Sequence, residues 1–157
     1  MERTHGGRPA GLYVLLLFIA LLAIGACGGG IALLADTSGG VIGMPLSLLA
    51  GTPFHDSLIP GLTLLIMPGL IPAFLVYPLV RRPVWRWAGA LNIYNDRHGS
   101  WTYSLYSGVT LSLWITMQVM FVGYIHPLQT ICGAWAVAII VCALLPSVMD
   151  YYCEPAR

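Results

Sequence analysis

The sequence predicts an all-α fold: a transmembrane four-helix bundle with a long outer loop between helices 1 and 2. Three observations lead there. Of the 157 residues, 58% are apolar and 8% charged, against roughly 25% charged in a soluble domain. No Asp, Glu, Lys or Arg occurs between Arg8 and Asp36, between Asp56 and Arg81, or from Gly99 to Met149. A bilayer-spanning helix needs about 20 mainly apolar residues, and the last of these gaps is long enough for two. Finally, all seven basic side chains are arginines, and they lie before the first apolar stretch, between the second and third, or after the fourth.

The first span is predicted at Leu12–Ala35, the second at Leu58–Val80, the third at Trp101–Ile125 and the fourth at Leu128–Met149, in one membrane domain covering 1–157. Cytoplasmic flanks are enriched in Lys and Arg, so both termini are expected in the cytoplasm and the 36–57 loop outside. Trp85, Trp87, Tyr94, Trp101, Tyr151 and Tyr152 cluster beside the arginines, and Tyr124 lies at the opposite end of span three. Such rings favour the headgroup zone. A net charge of +1 gives no basic field for nucleic acid.

Span one opens like a secretory signal, and Ile24-Gly25-Ala26-Cys27 has the form of a lipoprotein cleavage site. The apolar stretch runs on to Ala35, beyond a 7–15-residue signal core, so an intact helix is expected. Gly28–Gly30 and the Gly25-x-x-x-Gly29 spacing suit close helix packing in lipid.

The 36–57 loop is apolar in its middle and punctuated by glycine and proline. A short helix or re-entrant stretch on the outer leaflet is expected, sealing that end of the bundle. Thr52-Pro53 could start a helix as cap and first residue. Alternatively Asp56 caps, with Pro60 inside the first turn. Span two holds Pro60, Pro68, Pro72 and Pro78. Proline removes a backbone hydrogen bond, so Met67-Pro68-Gly69 marks a kink at mid-span.

An ionisable residue inside a span is a functional hypothesis, and these spans hold no Asp, Glu, Lys or Arg. The embedded carboxylate of small proton-coupled exporters, the facing histidines of a bis-His haem and the Cys-x-x-Cys of a quinone-linked disulfide enzyme are all missing. Cys27, Cys132, Cys142 and Cys153 read as packing residues or free thiols. No catalytic residue, metal site or cofactor is assigned.

Two sets of polar residues remain. Thr110, Trp114 and Gln118 form an i, i+4 stripe on span three, a candidate ligand contact if it is not used for interhelical bonding. The Gln118 amide is expected inside the bundle, against carbonyls freed by Pro68 or Pro72. Asp36, His55, Asp56, His126 and Gln129 could converge at the outer face for acid–base chemistry or metal binding; each is also an ordinary cap or turn residue.

The segments Gly43–Asp56, Leu58-Ile-Pro-Gly61, Leu91-Asn92 to Arg97-His98, Trp114-Ile115-x-x-Gln118 and Gly123-Tyr124-x-x-Pro-Leu-Gln129 resemble an uncharacterised family of small bacterial four-span integral membrane proteins. The resemblance covers about Gly28 to Leu145. It implies a bacterial inner membrane, and no reaction, substrate or cofactor. The expected function is that of a non-catalytic integral membrane protein, either an accessory subunit or a lipid-binding bundle. Its expected partners are membrane lipids and a membrane protein or a second copy of the chain. A small-molecule transporter or channel is the alternative, drawing on the kinked span and the Gln118 stripe. An outer-face enzyme comes third.

Overall fold

The computed structural model describes residues 7–43, 46–50, 52–83, 92–94 and 96–153. Trp85, Trp87 and Leu91 lie outside them. Every regular element among the described residues is helical. Helix α1 covers Ala10–Ala35, α2 Leu58–Leu64, a π-helical stretch Leu65–Leu70, α3 Ile71–Arg81, α4 Gly99–Val122, α5 Pro127–Ala143 and α6 Pro146–Tyr151. Ala10–Ala35, Leu58–Arg81 and Gly99–Val122 are long and apolar enough to cross a membrane.

The stretch expected as span four is not one helix. Proline lacks the N–H that continues a helix and pushes the residue before it out of the helical region. Leu145, before Pro146, is accordingly extended at φ −59°, ψ 131°. Helix α5 therefore stops at Ala143 after 17 residues, and α6 restarts after the break.

The expected kink in span two takes the form of a π stretch. Pro68 has no N–H to return to Leu64, and the bonding steps one residue further, with the Ile71 N–H donating to Ile66 O, five residues back. The helix continues through Pro68 without a gap. At its start, Asp56 Oδ1 accepts from Leu58 N–H at 3.1 Å and Pro60 sits in the first turn. Thr52 instead shapes a turn, donating to Leu49 O at 2.8 Å. Between α1 and α2 the chain makes two 3-10 turns, Gly40–Ile42 and Leu46–Leu49. Leu49 is buried.

Helix α1 meets α2 and the π stretch through glycines. A Cβ at Gly30 would lie 2.7 Å from Leu65 Cβ, one at Gly61 2.8 Å from Leu33 Cβ, and one at Gly69 3.0 Å from Cys27 Sγ. Packing in lipid draws on such close approach. The expected Gly25-x-x-x-Gly29 pair is not the one used. Gly25 and Gly28 have open space where a Cβ would be, while Gly29 and Gly30 face the second span.

The core lies towards the arginine-bearing end. Leu12, Leu15, Ile19, Leu75, Leu79, Trp101, Ile139, Ala143, Val148 and Tyr152 form one buried cluster. Trp101 and Tyr152, expected as headgroup-zone rings, belong to it instead. The Trp101 indole donates to Ala143 O at 2.7 Å, and the Tyr152 hydroxyl donates to Leu79 O. Both carbonyls are at helix ends, where four C=O groups lose their helical partners. Each buried ring thus supplies a donor where the backbone lacks one.

Other links close the same end. Arg8 Nη2 donates to Val80 O at 3.1 Å, and His98 N–H to Tyr152 O at 2.9 Å. Arg82 ends α3 in a left-handed conformation, φ 47°, and its guanidinium lies 3.5 Å from the centre of the Tyr151 ring. Cation–π contact of this kind favours the charge over the ring face.

Candidate functional site

Midway along the second and third apolar helices there is a recess of about 60 Å³, lined by Met67, Ile71, Tyr103, Tyr106, Ser107 and Thr110. One water needs only roughly 10–15 Å³ on this measure. One wall comes from the π stretch and the start of α3, the other from α4. Two features of the sequence create it. The π stretch carries an extra residue, which interrupts the regular ridge of side chains, and such bulges are frequent at functional sites. Helix α4 presents small and hydroxylated residues at the same level.

The polar groups of the recess differ in how they are engaged. Helix α4 carries seven Ser and Thr residues. Ser104, Ser107, Ser112 and Thr116 donate back to carbonyls of their own helix. Ser100 is bonded to His98 Nδ1 at 2.8 Å, and Thr102 donates to Asn92 Oδ1. Thr110 is the exception: among the described residues its hydroxyl has no hydrogen-bond partner. Tyr103 and Tyr106 are engaged in further interactions. Across the recess, Ile71 N–H is committed to Ile66 O. Pro72, next along, has no N–H, so the Met67 carbonyl loses its helical donor.

Of the stripe read from the sequence, only Thr110 reaches this recess. Trp114 and Gln118 are half-buried and lie outside it. Gln118 stands four residues before the end of α4 at Val122, about 6 Å along the axis, and its amide has no hydrogen-bond partner among the described residues. Pro68 and Pro72 flank residues that face Tyr103 to Thr110. Gln118 is about 12 Å further along α4 than Thr110, so the expected pairing of its amide with carbonyls freed by those prolines does not form. Its apolar surroundings hid how close it lies to the helix end.

Four of the five polar residues expected at the outer face are tied into their own turns. Asp36 accepts from Ser38 N–H at 3.0 Å, from the Ser38 hydroxyl, and from Val41 N–H at 3.1 Å. The Ser38 hydroxyl above all, then the Ser38 amide, holds its carboxyl below the ordinary value, because these bonds favour the charged form. Asp56 accepts from Leu58 N–H at the start of α2, where Ser57 is the N-cap and no side chain caps it, and His55 is exposed. At the other turn, Gly123 ends α4 at φ 84°, a left-handed conformation that suits glycine. His126 Nδ1 then accepts from Leu128 N–H at 3.1 Å. Gln129 Oε1 accepts from His126 N–H at 3.4 Å and Ile125 N–H at 2.9 Å, while its Nε2 donates to Gly123 O at 3.1 Å. This is a capping box with histidine in the role usually taken by Ser or Thr. No group of three His, Cys, Asp or Glu among the described residues could hold a metal ion. The four cysteines are unpaired thiols.

No protein-family model matches the chain, and no curated protein or solved structure matches it.

Proposed function

We propose that this chain is an integral membrane protein that acts by binding lipid rather than by catalysis, as a lipid-binding bundle or as an accessory subunit of a larger membrane assembly. The observation that carries the reading is the recess at the π stretch, which combines apolar walls with a half-buried hydroxyl at mid-helix. Its lining, mostly apolar with a few placed polar groups, has the chemistry of a small-molecule site, and at about 60 Å³ it admits the polar end of a lipid rather than a whole molecule. A transport path would need polar lining that continues to Gln118, which stands outside the recess. Outer-face catalysis would need Asp36, Asp56, His126 and Gln129 free of the turns they are tied into.

The same proposal includes four crossings, the last made by α5 with α6. At 17 residues, α5 is about 26 Å long, short of a hydrocarbon core of about 30 Å, and α6 supplies the remainder. A bacterial inner membrane with both termini in the cytoplasm is supported by the family resemblance and by the one-sided arginines. A reporter fused after Arg157 is expected to be active in the cytoplasm and one inserted near Gly40 outside; the reverse would overturn this orientation.

Lipid binding is tested by purifying the chain in mild detergent and weighing it by native mass spectrometry. The wild type is expected to retain a lipid that Thr110→Leu, which fills the recess, releases. Equal retention by both proteins, or no retained lipid in either, would refute the reading.

A further inference from the structure

The depth and chemistry of the recess narrow its occupant, given that the site binds lipid as proposed above. Thr110 lies 11 residues from Gly99 and 12 from Val122, at the midpoint of α4. Pro68 is close to the midpoint of the Leu58–Arg81 run. A lipid whose polar group reaches this level must carry it to the middle of the bilayer. A phosphate there would be a charge in hydrocarbon without a counter-charge, and no charged residue lines the recess. The cost of such a charge is far above that of a neutral polar group.

The hydrogen-bonding inventory goes further. Thr110 has a hydroxyl that can both donate and accept, and it is the Ser or Thr of α4 without a hydrogen-bond partner among the described residues. On the facing helix Met67 lines the recess, and its carbonyl lacks the π-helical donor five residues on because position 72 is proline. A purely accepting group, such as a ketone or an ester carbonyl, could take the Thr110 proton and would leave the Met67 carbonyl unmet. A hydroxyl answers both: it donates to the carbonyl and accepts from Thr110. Buried polar groups are strongly driven to such pairing, above all in lipid.

We therefore infer that the recess binds the head of an uncharged, hydroxyl-bearing lipid, with the Thr110 hydroxyl as its specific partner. The free alcohol of a diacylglycerol, the terminal alcohol of a polyprenol and the phenol of an isoprenoid hydroquinone share this chemistry. Each has the apolar body needed to lie against Met67 and Ile71.

The test uses the full chain in phosphatidylcholine nanodiscs doped in turn with dioleoylglycerol, a polyprenol, an isoprenoid hydroquinone and dioleoylphosphatidic acid. Retained lipid is counted by native mass spectrometry. At least one of the three hydroxyl lipids is expected to be retained at least fivefold over phosphatidic acid, and which one is retained identifies the source of the hydroxyl. Thr110→Val keeps the shape and removes the hydroxyl, and is expected to abolish that preference; Thr110→Ser keeps the hydroxyl and should preserve it. Thr116→Val, at an exposed residue bonded within its own helix, should behave as wild type.

Unchanged preference in Thr110→Val, or loss of preference in Thr110→Ser as well, would overturn the inference. Retention of phosphatidic acid equal to that of the alcohols, abolished in both cases by Thr110→Leu, would overturn the hydroxyl preference while leaving lipid binding standing. Retention unaffected by Thr110→Leu would remove lipid binding at this site as well. The melting temperature of each variant separates loss of binding from loss of fold.

Discussion

The two ends of the bundle are built on different terms. At the arginine-bearing end, Trp101 and Tyr152 are almost fully buried, at 2% and 1% exposure, and each meets a carbonyl at a helix terminus. The buried residues of α4 run from Ser100 to Leu111 and no further. Helix α5, which runs the other way, has its buried residues from Ala136 onward. Towards the loop end, Leu113, Met117, Met120, Phe121, Leu128 and Ile131 are exposed. There α4 and α5 are joined by the turn that Gln129 ties to Gly123 and Ile125, and α1 meets α2 through Gly30, Leu33 and Gly61. Buried aromatic donors close one end, and small residues bring α1 and α2 together towards the other. In lipid this division is physically reasonable. The apolar effect does not drive helices together there, so close contact and satisfied polar groups must do so.

The largest effect should come from Trp101→Ala, which empties a buried ring site and strips Ala143 O of its donor. A loss of about 3–5 kcal/mol is expected, read as a fall in melting temperature in detergent. Next comes the glycine contact. Gly30→Ala forces a Cβ to within 2.7 Å of Leu65 Cβ and 2.8 Å of its backbone, and such overpacking costs about 1–3 kcal/mol. Gly28→Ala, two residues away in open space, should be neutral or slightly stabilising. Equal losses for the two would break the account of the α1–α2 contact. Met120→Ala, at a side chain 78% exposed, should stay within about 0.5 kcal/mol, and Gln118→Leu should not lower the melting temperature at all. A clear loss at either position would mean that the loop end is packed more tightly than the geometry shows.

The smallest effect concerns pH. Hydrogen bonds hold the Asp36 carboxyl below its ordinary value of 3.8, so its contribution is present above that value and fades as pH falls through the lowered one. The difference in melting temperature between wild type and Asp36→Ala should accordingly be constant from pH 5 to 8 and shrink in strong acid.

Much of this fold was legible because charge is so sparse. The gaps ended by Asp36 and Arg81 each delimit one apolar helix to within a few residues, while the gap ended by Asp150 holds α4, α5 and most of α6. Thr110 could be picked out because it lies two turns before Gln118 on one face of its helix. Pro146 was harder to read, since apolar residues continue on both sides of it and hydropathy does not register the lost N–H. The choice among Gly25, Gly28, Gly29 and Gly30 was also hidden, because consecutive glycines face different directions and composition does not show which one meets a neighbour. Trp101 and Tyr152 were read by residue type, which suits the headgroup zone, while their burial depends on the helix ends at Ala143 and Leu79 that they meet.

The π stretch also sets the phase of the second span. Gly61 and Gly69 are eight residues apart, and eight α-helical residues turn through about 800°, leaving the two about 80° out of line. With one residue absorbed by the bulge, the spacing acts like seven, about 700°, and the glycines fall within about 20° of one another. Both then face α1, one against Leu33 and the other against Cys27. The extra residue therefore works as a rotational adjuster as well as making the recess. Deleting one residue between Leu65 and Leu70 would swing one of the two glycines off the shared face, turning a continuous seam into a single point of contact.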